Sequence, residues 1–146
     1  DYHFQQTQIL PFTRAHMASL EQNHADAFHT HPFDFLHRHT GIRMELPPQL
    51  SEHDIHSVMV DTINGVQFGC IQVHADNGEI ISLFVTKDDL YSLPSEPCEF
   101  FMGSKMLIGG CKKCNLVGCE KHGLVFVVVS TKSNEPEQLA ELTSYF

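Results

Sequence analysis

Tryptophan is absent, basic residues are few, and the longest apolar run is only Leu124–Val129. Each shortage excludes something. A helix needs about 20 apolar residues to cross a bilayer, so no stretch of this chain reads as a membrane span, and no charged-then-apolar leader opens it. Nine Lys and Arg against 18 Asp and Glu give a formal charge of −9. That field repels phosphate backbones and anionic headgroups with no basic stripe to offset it, so direct nucleic-acid binding is not expected. No repeat or low-complexity tract divides the 146 residues, and the apolar share of 42% is that of a globular chain. The length suits a single domain with a core large enough to fold without staples.

Histidine and cysteine are present in unusual number. The chain has 11 His, dispersed along it, and 5 Cys. An odd number of thiols cannot all pair within one chain, so at least one is free, metal-bound or intermolecular.

The pattern predicts an α+β fold: an antiparallel sheet of about five strands, built from a three-stranded meander and a C-terminal hairpin, with N-terminal helices and a C-terminal helix. Met17, Leu20 and Ala27 place an amphipathic helix over residues 13–27. A second helix starts at Pro32, which suits a first helical position, and ends at Thr40-Gly41, with Phe33, Phe35 and Leu36 on its apolar side. Pro47-Pro48 forces an extended connection. The β-rich runs 56–63, 66–74 and 79–86 are separated by Asn64-Gly65 and Asp76-Asn77-Gly78, and Asn-Gly is the strongest signal for a type I′ hairpin. Cys70 alternates with Val66 and Phe68, as a buried core thiol does. After a polar connection over 87–97, with one helical turn near 88–91, residues 111–118 and 124–130 form a hairpin whose loop holds Cys119 and His122. Asn134 as N-cap, Pro136 in the first turn and Glu137 as a capping acid open the last helix, with Leu139 and Leu142 inward.

The chemical centre of the sequence is Cys111-x2-Cys114-x4-Cys119-x2-His122, a cysteine-rich stretch over 111–122. Two thiolates separated by two residues reach one ion from a tight turn, and a second short step completes a tetrahedron, with Cys98 as an alternate fourth ligand. Three thiolates and an imidazole suit Zn²⁺ best and Cu second. Lys112, Lys113 and Lys121 favour the thiolate forms. A disulfide within the cluster is the alternative. An iron–sulfur cluster fits less well, since the x2-then-x4 order reverses the plant-type spacing. Covalent haem attachment is excluded because Asn115 stands where histidine is required. A second group, His24, His29, His31, His37 and His39 with Asp26 and Asp34, offers secondary ligands for Zn²⁺ or Cu²⁺ through His24, His29 and His31; the competing reading is a set of solvated surface histidines.

Three segments in order resemble one family. His31-Pro-Phe-Asp-Phe-Leu-His-Arg-His-Thr-Gly-Ile-Arg-Met-Glu-Leu-Pro-Pro-Gln-Leu50 resembles the short helix, glycine exit and Pro-x-Leu segment of the extracytoplasmic C-terminal domain of membrane-anchored anti-sigma factors. Glu79-Ile-Ile-Ser-Leu-Phe-Val85 is similar to its central strand. Cys114–Gly118 through Gly123–Ser130, followed by a Leu-x-x-Leu helix, resembles its last hairpin and terminal helix. Together they span about residues 13–145. The resemblance implies a regulatory domain outside the cytoplasmic membrane, tethered through a segment ahead of Asp1 and acting on a partner protein. The departures are Cys119 where that hairpin carries aromatics, the cysteine-rich stretch and the histidines. The reading that follows is a metal-binding, sensor-like regulatory domain. Its alternatives are a structural zinc protein that mediates protein contacts, kept in a reducing cytoplasm, and an enzyme using thiol redox or a catalytic metal. No catalytic motif supports the enzyme: three thiolates make a poor Lewis acid, and Glu120 is the nearest carboxylate to serve as base.

Overall fold

In a computed structural model of the chain, residues 2–20, 31–94, 98–101 and 104–146 are described, with side chains for 10–20, 31–94 and 106–146. Among the described residues, three α-helices, α1 (Tyr2–Leu20), α2 (Pro32–Thr40) and α3 (Pro136–Ser144), accompany seven strands. These are β1 (Ile55–Ile63), β2 (Val66–His74), β3 (Ile80–Lys87), β4 (Cys98–Phe101), β5 (Ser104–Gly110), β6 (Cys114–Lys121) and β7 (Leu124–Thr131). All are antiparallel in one sheet of order β1-β2-β3-β7-β6-β5-β4. The fold is the expected α+β one, and β4 and β5 extend the sheet beyond the meander and hairpin that periodicity picks out.

The strands lie where the turn chemistry puts them. Asn64 and Gly65 both take positive φ, at 52° and 80°, and close the β1–β2 hairpin. His122 and Gly123 do the same at 55° and 77° between β6 and β7, a left-handed pair that histidine tolerates better than most residues. The β6–β7 loop is therefore these two residues alone. Cys119, expected in that loop, lies inside β6 opposite Phe126.

The middle strands β3 and β7 are buried along nearly their whole length on both faces, which is why they read as continuous apolar runs. Helices cover both sides. On one face Phe12 of α1 meets Phe68, Phe84 and Tyr91 edge-on, at centroid distances of 5.3, 5.6 and 5.7 Å. On the other face Leu36 of α2 and Leu139, Ala140 and Leu142 of α3 pack with Ile71, Leu83, Val117 and Val128. Gly69 makes the α2 contact possible, since a β-carbon there would run into Leu36 Cδ1.

Two boundaries differ from expectation. The first helix starts at Tyr2, and the predicted stretch 21–27 lies outside the described residues. Glu135, not Asn134, caps α3; the Gln138 side chain accepts the Glu135 N–H at 2.6 Å. Asn134 is instead fully buried, donating to Ser130 Oγ at 2.9 Å and accepting from Asn77 at 3.1 Å. No helix among the described residues is long and apolar enough to cross a membrane.

Leu36 is fully buried, so Leu36→Ala is expected to lower unfolding stability by about 2–5 kcal/mol, from lost transfer energy and the cavity left behind. Urea unfolding measures it, and a loss below about 1 kcal/mol would mean that α2 does not seat on Gly69 as described.

Candidate functional site

The predicted four-ligand site is not assembled. Residues five apart on a strand face opposite ways. Cys114 accordingly packs with Phe12, Leu116 and Val129 on the α1 face, and Cys119 with Val117, Phe126 and Val128 on the α3 face. His122 is exposed in the turn at the far end of β6. At about 3.3 Å per residue, the length of β6 holds that turn more than 20 Å from Cys114, whereas a zinc–sulfur bond is about 2.3 Å. No single ion reaches both ends. Cys98 does not substitute: its backbone pairs with Leu107 of β5, which pairs with Gly118, so Cys98 sits two strands from β6 and well down the sheet from Cys114. Short sequence spacing stands for proximity only in a loop, and here the spacing is occupied by strand.

Two ligands of the motif do come together. Cys111 and Cys114 flank the Lys112-Lys113 turn between β5 and β6, closed by a Cys111 N–H to Cys114 carbonyl bond of 2.9 Å. Cys111 lies close enough to Cys114 to raise its thiol. Cys111 is half-buried and Cys114 fully buried. Burial pushes the Cys114 thiol up to about 11, Cys111 beside it adds to the rise, and Lys132 and Lys113 pull part of it back. The other two described thiols are core groups. Burial raises Cys70, with the charge of Asp61 adding to it. Burial also raises Cys119, against a hydrogen bond from Thr143 and the charge of Lys121. Lys121 itself is turned to α3, donating to the Thr143 carbonyl with its ammonium 5.5 Å from the Phe126 ring centre.

His24 and His29 lie outside the described residues. His31 is exposed as the N-cap of α2. His37 lies 3.4 Å from the Arg43 guanidinium, and His39 stacks on Phe35 at 4.4 Å. His56 and His74 meet edge-on at 5.0 Å across β1 and β2. Among the described residues, no three His, Cys, Asp or Glu side chains form a metal-holding group.

Clefts open on the surface of the described residues beside α2 and α3. One of about 230 Å³ beside α2 is lined by Phe33, Leu46, Glu52 and Ile55, and one of about 240 Å³ beside α3 by Asp54, His74, Asp76 and Glu141. Neither contains a cysteine.

A buried polar row escaped the sequence reading altogether. Ser57 donates to Gln72 Oε1 at 2.7 Å, and the Gln72 amide donates to Ser19 at 2.7 Å and Ser82 at 3.0 Å. Ser82 Oγ lies 2.6 Å from His16 Nδ1, while Ser19 donates to the His16 carbonyl at 2.6 Å. Its members come from α1, β1, β2 and β3, and His16, Ser57, Gln72 and Ser82 have no solvent exposure. His16 and Ser82 stand at the separation of a base and a nucleophile, and both are fully buried among the described residues. The only signal in sequence was that Gln72 and Ser82 interrupt otherwise apolar strands. The partner of Ser82 on α1, His16, is 66 residues away in the chain.

Comparison with models of protein families, with curated proteins and with solved structures finds no match for this chain.

The row carries a pH dependence. His16 Nε2 is buried without a partner among the described residues, and burial lowers the ring from 6.5 to about 4. Between these values the unfolded chain binds a proton that the fold refuses, so stability falls as pH drops from 6.5 towards 4, by up to on the order of 3 kcal/mol, and is unaffected by this group above that window. Denaturant unfolding of wild type and His16→Gln at pH 7, 6, 5 and 4.5 should show the gap between them change across the window. Parallel curves would mean that the ring titrates as it does in the unfolded chain.

Proposed function

We propose that this chain is a regulatory, sensor-type domain of the kind found in the extracytoplasmic part of membrane-anchored anti-sigma factors, and that its responsive element is the Cys111–Cys114 pair, which takes Zn²⁺ or Cu. The observation that carries the metal reading is the half-exposed turn that holds Cys111 and Cys114 opposite each other, closed by the Cys111 N–H to Cys114 carbonyl bond, while the remaining described thiols are locked singly in the core. Thiolates are soft donors and select Zn²⁺ and Cu⁺ over hard cations. The ion's own charge drives off the thiol protons, and Lys113 and Lys132 favour the same change at Cys114. A tetrahedral Zn²⁺ would draw its other ligands from solvent or a partner protein.

The regulatory reading is supported by how the resembling segments fold. The first runs as α2, leaves the helix at Gly41 and carries Ile42, Leu46 and Leu50 onto the sheet. The second is β3, at the centre of the sheet, and the third is the β6–β7 hairpin followed by α3. A purely structural zinc has less support, because the turn is already closed by its own backbone bond and by the Gly110–Asn115 pairing. Catalysis has less support, since the cysteines of the motif line neither cleft.

The test is element analysis of anaerobically purified protein, with native thiol counting before and after chelation. Bound Zn²⁺ or Cu should hide two thiols, not three or four. Cys111→Ser and Cys114→Ala should each weaken binding at least tenfold, while Cys119→Ala and His122→Asn leave it unchanged. Absence of metal, or loss of binding on Cys119→Ala, would overturn the site.

A further inference from the structure

The β5–β6 turn is also built for a different chemistry of the same two sulfurs. Gly110 pairs with Asn115 across the ladder, and Cys111 bonds through its N–H to the Cys114 carbonyl, so the two cysteines are held opposite each other. Directly opposed, hydrogen-bonded residues of an antiparallel pair have Cα atoms about 5.5 Å apart, inside the range of about 4.4–6.8 Å that a disulfide requires. The other described thiols offer no competing partner. Cys119 faces the opposite side of the sheet, and Cys70 lies on β2, opposite Phe84 of β3. The half-buried Cys111 is open to attack from solvent, and Cys114 stands behind it, fully buried.

We propose that Cys111 and Cys114 form a reversible intramolecular disulfide across the β5–β6 turn, driven by exchange with a low-molecular-weight disulfide. Cys111, as its thiolate, attacks one sulfur of the small disulfide, forming a mixed disulfide and releasing one small thiolate. Cys114 then attacks Cys111 Sγ, giving its proton to solvent, and expels the second small thiolate. Each released thiolate takes up a proton, so two protein thiols are oxidised and one small disulfide is reduced to two thiols. Ring closure removes both donors from a metal ion. That last consequence rests on the metal reading above, whereas the disulfide itself does not.

The experiment uses the full chain, reduced and stripped with a chelator, equilibrated in glutathione buffers of stepped redox ratio, then alkylated and mapped by mass spectrometry. The expected product has lost two hydrogens, carries a Cys111–Cys114 link, and leaves Cys70 and Cys119 alkylatable after denaturation. Cys114→Ala should stop at a glutathione adduct on Cys111, and Cys111→Ser should stay unmodified at Cys114. A stable adduct on wild-type Cys111, a bridge to Cys98 or a link between chains would overturn the proposal. In a second arm the oxidised and reduced forms are titrated with Zn²⁺. At least tenfold weaker binding by the oxidised form, recovered on reduction, supports the regulatory consequence, and equal binding overturns it. If neither form binds Zn²⁺ or Cu⁺ but the disulfide forms, the metal reading and its regulation fail and the disulfide stands. If the metal binds and no disulfide forms, the disulfide alone fails.

Discussion

The ladder between β3 and β7 joins everything else. It pairs Ser82 with Val129, Leu83 with Val128, Phe84 with Val127 and Val85 with Phe126, uniting the meander β1-β2-β3 with the group β4-β5-β6-β7. Strands in the middle of a sheet have no solvent face once helices close over both sides, and the apolar runs of β3 and β7 require that closure. So α1 must cover one face and α2 with α3 the other. The resulting three layers divide the described side chains of the strands into two sets on opposite faces.

That division decides the chemistry. Cys114 and Cys119 are near in sequence and belong to different layers, because a strand turns its side chains alternately to opposite faces. Cys111 and Cys114 are also near in sequence, and they do meet, because a two-residue turn lies between them. Backbone geometry therefore splits the motif into one pair of neighbouring cysteines at the β5–β6 turn and one core thiol under α3. His122 is drawn elsewhere by a different demand, filling a left-handed position of the β6–β7 turn.

The α1 layer follows another logic from the α2 and α3 layer. Aromatic contacts through Phe12 anchor one stretch of α1, and its next turns meet the sheet through His16 and Ser19 alongside Ala15 and Met17. Polar groups this deep hold position only when their hydrogen bonds are met. The Gln72 amide satisfies three of the row's hydroxyls at once, fixing where α1 sits along β2 and β3, and His16 Nε2 is left as the weak point.

By itself the sequence determined the strands of the meander, the Asn64-Gly65 turn, the final hairpin and the helices at Pro32 and Pro136, because these depend on alternation, positive-φ turn residues and fixed proline geometry within a few residues. It also determined that Cys111 and Cys114 lie within reach of one another, since two intervening residues leave little alternative. Only the tertiary structure decided the rest. Cys98–Phe101 and Ser104–Gly110 became two further strands because β6 offered an edge to pair with, and Cys119 left the predicted site because strand, not loop, fills the interval after Cys114. The polar row through His16 depends on side chains from one helix and three strands, and no local pattern encodes a meeting of residues 66 positions apart.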